Sequence, residues 1–285
     1  MMQILKTMLI MAIATIQLHA QSQKVKTCCA SPSKHSQFAL LTARADFKDA
    51  HLAPEPINYK AEKGEMVTYN TPDGKTSSAF VIKSEQKTDK VLIVLHEWWG
   101  LNDHIKREAE NLQKSLGNVD VYALDLYDGQ VATDAETAGK LMGGMDAARA
   151  VNIVKGAINL IGKDAQIATL GYCMGGSWSF QSALLGDKQT KACVMYYGFP
   201  EKDASKMKSL NSDVLYIHAL KDSFIPKEAV EQFSKDLKSV GKKITVKAYE
   251  ADHAFANPSN PKYDKTNAED AAKVALAYLK KGLGL

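Results

Sequence analysis

Apolar positions along the chain come in two patterns. Short continuous runs alternate with longer stretches in which apolar residues recur every three or four positions. The runs Val91–Leu95, Val119–Leu124, Ile167–Leu170, Cys193–Tyr197 and Val214–Ile217 predict strands covered on both faces of a sheet. Met66–Tyr69 and Ser78–Ile82 predict an antiparallel pair, because Thr71-Pro72-Asp73-Gly74 between them has the chemistry of a tight turn. Ile244–Tyr249 is the last predicted strand. Helical spacing places Ile105, Ala109, Leu112 and Leu116 on one face behind a cap at Asn102 or Asp103. Val151, Val154, Ile158 and Ile161 mark a second helix closed by Gly162. Val230, Phe233, Leu237 and Val240 mark a third, ended by Gly241, and Ala272, Leu276 and Leu279 face inward on the final helix. Asp128 to Asp146 reads as a long, Gly-containing excursion. Strand and helix in alternation after an antiparallel start predict an α/β fold. Its central sheet is mainly parallel, with an antiparallel N-terminal hairpin and helices on both faces.

The N-terminal residues break this pattern. Lys6, the apolar stretch Met8–Leu18 and the site Leu18-His19-Ala20 read as an export signal over residues 1–20, too short for a membrane span. A retained anchor is the alternative. Residues 21–62 are rich in Ser, Lys, Pro and His without a steady apolar period, and read as an arm or linker, partly ordered at best. Residues 63–285 then suffice for one α/β domain with a substantial core. The expected product is a periplasmic or secreted monomer with no membrane span after signal removal. Lys+Arg 36 against Asp+Glu 32, with the lysines scattered, argues for a solvated surface and against a nucleic-acid partner. Four cysteines in 285 residues make no disulfide scaffold. Cys28 and Cys29 could pair with another chain or be oxidised, and Lys26-Thr27 before them is a poor lipidation context. Cys193 reads as a buried structural thiol.

The candidate chemistry centres on Gly171-Tyr172-Cys173-Met174-Gly175-Gly176, set between an apolar run and a segment of small and apolar residues. Strand, sharp turn and helix in that order make a nucleophile elbow, with the nucleophile exposed above the sheet. Here the nucleophile is Cys173. A thiol attacks as thiolate, and a helix N-terminus and a neighbouring base both favour that form. The base is expected in a loop after a late strand, where His253 stands in Asp252-His253-Ala254-Phe255. His104 and His218 are weaker candidates, read as a solvated cap residue and a core or supporting residue, and His35 and His51 fall in the arm. Asp222 follows a core strand and lies between nucleophile and base, so it ranks first as the acid that orients the ring. Asp252, adjacent to the histidine, ranks second. His96-Glu97-Trp98-Trp99-Gly100 ends the first core parallel strand, and is not a zinc-helix motif because its fifth residue is Gly100. Glu97 there faces the edge where open parallel sheets bind ligands. The N–H groups of Met174 and Trp98 are the expected oxyanion donors.

These pieces together resemble the dienelactone hydrolase family of α/β-hydrolases. The matching segments are His96-Glu97-Trp98-Trp99-Gly100-Leu101, Asp125-Leu126-Tyr127, Gly171-Tyr172-Cys173-Met174-Gly175-Gly176, Asp222-Ser223-Phe224-Ile225-Pro226 and His253-Ala254-Phe255, in family order. The resemblance implies a Cys173–His253–Asp222 triad cleaving a small-molecule ester or lactone through a thioester. It implies that Glu97 holds the resting thiol neutral and takes its proton when substrate binds. It implies no metal and no organic cofactor. One departure stands out: family members that grip a substrate carboxylate use arginines, one shortly after the histidine, where this chain has Asn257. Its three arginines, Arg44, Arg107 and Arg149, fall in no matching motif. Trp98, Trp99 and Tyr127 suggest a more apolar pocket mouth. The alternative reading is an inactive relative that binds a small molecule or an envelope partner, motivated by the missing clamp and the added arm.

Overall fold

The structure, a computed structural model, describes residues 40–285. The expected export signal, Cys28, Cys29 and His35 lie outside the described residues. The described elements, in chain order, are α1 (Ala45–Asp49), β1 (Glu65–Asn70), β2 (Thr76–Ile82), β3 (Lys90–Leu95), α2 (Asp103–Leu116), β4 (Asp120–Leu124), α3 (Ala135–Gly144) and α4 (Ala147–Ile161). They continue with β5 (Gln166–Tyr172), α5 (Met174–Leu185), β6 (Thr190–Tyr196), α6 (Ala204–Ser209), β7 (Asp213–Ala219), α7 (Lys227–Ser239), β8 (Ile244–Tyr249) and α8 (Lys265–Leu283). No helix among the described residues is long and apolar enough to cross a membrane.

One sheet runs in the order β1-β2-β4-β3-β5-β6-β7-β8. The pairs β1/β2 and β2/β4 are antiparallel, and every later pair is parallel. The continuous apolar runs form its middle: Leu92, Ile93, Val94 and Leu95 of β3 have no exposed surface. From β3 the chain moves outward to β4 in one direction, then returns to place β5 on the other side. That reversal opens a crevice at the C-terminal ends of β3 and β5, the place where such sheets bind ligands.

The helices hold two corrections. The excursion from Asp128 to Asp146 contains α3, capped by the Asp134 carboxylate accepting from the Thr137 N–H. Its buried residues are Ala138, Gly139 and Met142, too small a stripe to register as an amphipathic period. On α8 the inward face is Ala268, Ala271, Ala275 and Leu279, while Ala272 is exposed and Leu276 only half-buried. Small residues win the buried face because they let the helix lie close to the sheet. Gly156 of α4 shows the same constraint: a β-carbon there would stand 2.7 Å from the Asn70 carbonyl oxygen.

Candidate active site

Cys173 follows β5 directly and precedes α5, with φ 53° and ψ −117°. This left-handed backbone is strained for a residue with a β-carbon, and such strain concentrates at functional turns. The turn closes only because its neighbours are glycines. A β-carbon on Gly171 would fall 2.0 Å from the Gly175 carbonyl oxygen, and one on Gly175 would fall 2.2 Å from that of Leu95. Absence of side chains therefore lets the helix start pack directly on the end of β3. The Cys173 N–H donates to the Tyr196 carbonyl at 3.0 Å, which ties the elbow to β6.

Asp222 and His253 are brought together by β7 and β8. The pairing runs on past the strand ends, with Leu220 N–H to Tyr249 O at 2.8 Å and Lys221 N–H to Ala251 O at 3.0 Å. Nδ1–H of His253 donates to Asp222 Oδ2 at 2.6 Å. The other carboxylate oxygen accepts from the N–H groups of Phe224 at 2.8 Å and Ile225 at 3.0 Å, so the acid cannot turn away. Burial opposes charge on the His253 ring. The Asp222 carboxylate and the Cys173 sulfur outweigh it and hold the imidazolium well above its usual range. Burial likewise opposes the Asp222 charge, but the imidazolium and the three donors hold this carboxyl below its ordinary value. Asp252 points elsewhere: its carboxylate faces Lys262 at 3.9 Å and is about half exposed. His218 is buried against Tyr216, with ring centroids 6.1 Å apart.

Glu97 lies two residues past the end of β3. His96 pins this corner, donating from Nδ1 to the Glu97 carbonyl at 2.5 Å and accepting the Leu126 N–H at Nε2. Burial pushes the Glu97 carboxyl up to about 7, against the pull of His253 and of a hydrogen bond from Asn257. Asn257 donates that bond from Nδ2 to Glu97 Oε2 at 2.9 Å. A cavity of about 300 Å³ opens beside this pair, lined among others by Trp99, Arg107, Tyr172 and Asn257. Tyr127 is not in its lining. Its ring packs on His96 at 4.8 Å and its hydroxyl donates to the Met174 sulfur at 3.3 Å.

The expected exposed nucleophile is not observed, since Cys173 is only 1% exposed. The physical reason lies in the stretch assigned to an arm. Phe47 of α1 is fully buried, edge-on to Trp98 at 5.1 Å and to Phe224 at 5.0 Å. His51, just after α1, is also buried, and its ring lies 5.2 Å from that of His253. Sγ of Cys173 and one ring nitrogen from each of His51 and His253 lie within 4.8 Å of one another. Burial, and then the charge of His253, push the His51 ring down to about 3, so it is neutral. Further along the arm, the Glu110 carboxylate accepts the N–H groups of Glu62, Lys63 and Gly64. His104, expected to be solvated, donates to the Glu55 carbonyl at 2.8 Å. Composition hid His51 because a helix of five residues is too short to show a period. The one signal present is Phe47 and His51 at i, i+4 spacing.

The dienelactone hydrolase family matches residues 78–283. The chain belongs to the dienelactone hydrolase family. A putative carboxymethylenebutenolidase of Aquifex aeolicus (strain VF5) is 25% identical over 228 residues, 76% of this chain and 98% of that protein. A carboxymethylenebutenolidase of Pseudomonas sp. (strain P51) is 29% identical over 119 residues, 41% of this chain and 49% of that protein. Among solved structures, a putative dienelactone hydrolase from Klebsiella pneumoniae superposes with a TM-score of 0.66 at 22% identity, covering 76% of this chain and 99% of that one. The part of the chain shared with the dienelactone hydrolase family starts after α1, so Phe47 and His51 reach the elbow from outside it. Of the three arginines, Arg149 is engaged between the first hairpin and the loop after β4, bound to Asp73, the Thr76 carbonyl and Asp128. Arg44 pairs with Asp46, and only Arg107 lines the cavity beside Glu97.

Proposed function

We propose that this dienelactone hydrolase family member cleaves small esters or lactones through a thioester on Cys173. The observation that carries the reading is the alignment of three groups: a cysteine on a strained elbow, an imidazole ring nitrogen within 4.8 Å of its sulfur, and a carboxylate 2.6 Å behind the ring. Glu97 takes the thiol proton as substrate enters, and the Cys173 thiolate, beside the His253 imidazolium, attacks the acyl carbon so that the C–S bond forms. The N–H groups of Met174 and Trp98 receive the developing oxyanion. The His253 imidazolium gives its Nε2 proton to the leaving alkoxide, then as the neutral ring takes a proton from the water that attacks the thioester; the acid leaves, and Glu97 returns its proton to the freed thiolate. Asp222 fixes the ring with Nδ1 protonated and Nε2 facing the reaction. Glu97, with its carboxyl near neutrality, is suited to exchange a proton with the thiol when substrate enters. The 300 Å³ cavity is at the small end of the ~300–1,000 Å³ typical of ligand sites, which suits a compact substrate.

The covered thiol adds a requirement. Substrate meets Cys173 only when residues 45–51 lift or the cavity widens past Glu97. Cys173→Ala should abolish turnover of a panel of activated esters and lactones, and mass spectrometry of quenched wild type should find the acyl group on the Cys173 peptide. Undiminished turnover in the variant overturns the reading. The covered thiol also gives the alternative its specific support: an inactive exported relative that binds a small molecule or an envelope partner without hydrolysing it. That reading predicts no turnover across the panel with ligand binding intact.

A further inference from the structure

The elbow holds one group more than hydrolysis uses. On both His51 and His253 the Nδ1 atom is already engaged, one donating to the Phe47 carbonyl at 2.7 Å and the other to Asp222 at 2.6 Å. On each ring Nε2 is the nitrogen left over, and both Nε2 atoms are buried without a hydrogen-bond partner; the neutral His51 ring presents a lone pair there, and His253 presents one once its imidazolium gives up the Nε2 proton. One ring nitrogen from each histidine lies within 4.8 Å of the Cys173 sulfur. A buried ring nitrogen with no partner is unfavourable, so a ligand that engages it there is favoured.

We propose that Cys173, His253 and His51 form a binding site for a thiophilic divalent metal ion, with Zn²⁺ as the representative. One sulfur and two imidazole nitrogens are the donor types that Zn²⁺ prefers, and three protein ligands leave a fourth position for water or an anion. The site offers no oxygen donor from these side chains, so it disfavours Ca²⁺ and Mg²⁺. A tetrahedral ion sets such donors about 3.3–3.6 Å apart. The three atoms already lie within 4.8 Å of one another, so small side-chain movements close the site. Both rings are supported from behind as metal-bound histidines are, one by a carboxylate and one by a backbone carbonyl, which fixes the tautomer that coordinates. The sequence implies no metal because the ligands come from three distant segments, one of them outside the family match.

Binding releases two protons to solvent, one from the Cys173 thiol and one from Nε2 of His253, and the ion takes their place. It occupies both nucleophile and base, so the metal-bound protein does not hydrolyse, and it fastens residues 45–51 over the elbow. The site rests on the positions of three donor atoms and not on the hydrolase reading, so the two fail separately. The test uses the metal-stripped full chain, titrated with Zn²⁺ against a chromophoric chelator, with Co²⁺ as a spectroscopic substitute. One ion should bind per chain, and the Co²⁺ form should show a thiolate-to-metal charge-transfer band. His51→Gln and Cys173→Ala should each weaken Zn²⁺ binding by about 100-fold or more, and Cys173→Ala should erase the band. The Cys28→Ser, Cys29→Ser double variant should keep both. Absence of stoichiometric binding, a site retained in Cys173→Ala, or a site lost only in the double variant overturns the proposal. If His51→Gln does not fold, the Co²⁺ band and its loss in Cys173→Ala still decide it.

Discussion

Phe47→Ala tests whether a short N-terminal segment controls access to the thiol. Phe47 is fully buried and meets His51, Phe224 and Trp98 with ring centroids 4.2, 5.0 and 5.1 Å away. A five-residue helix has no stability of its own, so docking of α1 depends on this ring. Truncating a buried Phe costs about 3–5 kcal/mol. Because α1 is attached to the sheet from outside, the loss should fall on local opening rather than on global unfolding. At about 1.4 kcal/mol per tenfold, even ~3 kcal/mol raises the open population roughly 150-fold. The assay is alkylation of the native protein with a slow thiol reagent, resolved by peptide mass spectrometry. Cys193 serves as internal reference, being fully buried within β6. Cys173 labelling should accelerate by about two orders of magnitude while Cys193 labelling stays constant. An unchanged Cys173 rate in a folded variant would refute the covering role. A parallel rise at Cys193 would show that Phe47 belongs to the cooperative core instead.

Asp222→Asn should lower kcat by about 10³–10⁴ through loss of the oriented tautomer, and the His253 titration followed by NMR should move down towards the ordinary imidazole range. A drop of less than tenfold would remove Asp222 from its assigned role. Glu97→Gln should change stability with a definite sign: a buried carboxyl raised to about 7 stabilises fully below its unfolded value of 4.5 and loses that contribution as pH climbs through about 7. Denaturant unfolding should therefore show the variant gaining about 2–3 kcal/mol on wild type between pH 5 and pH 8, and a pH-independent difference would contradict the burial argument. Gly175→Ala would drive a β-carbon to 2.2 Å from one backbone oxygen and 2.5 Å from the next, so it should cost about 3 kcal/mol or more. Gly144→Ala has nothing within 4 Å and should leave the melting temperature nearly unchanged, so equal effects of the two would refute the packing account of the elbow.

The parallel strands and the elbow were legible in the amino-acid pattern for one reason: each is a local signal. Continuous apolar runs declare strands covered on both sides, and Gly171, Gly175 and Gly176 declare a turn with no room for side chains. The helices built on small residues, α3 and the buried face of α8, leave little trace in the pattern. Alanine and glycine bury through close approach rather than through an apolar stripe that periodicity can detect.

The order Cys173, Asp222, His253 and the strand-end position of Glu97 also follow from the sequence, since each residue trails a predicted strand. What only the tertiary structure decided is how these residues are enclosed. Burial of Glu97 beside Asn257, diversion of Arg149 to the first hairpin and the loop after β4, and the arrival of Phe47 and His51 over the sulfur all depend on contacts between segments far apart in the chain. No local pattern carries that information, because a five-residue helix in a polar stretch gains its place from the aromatic pocket it fills and not from its own propensity.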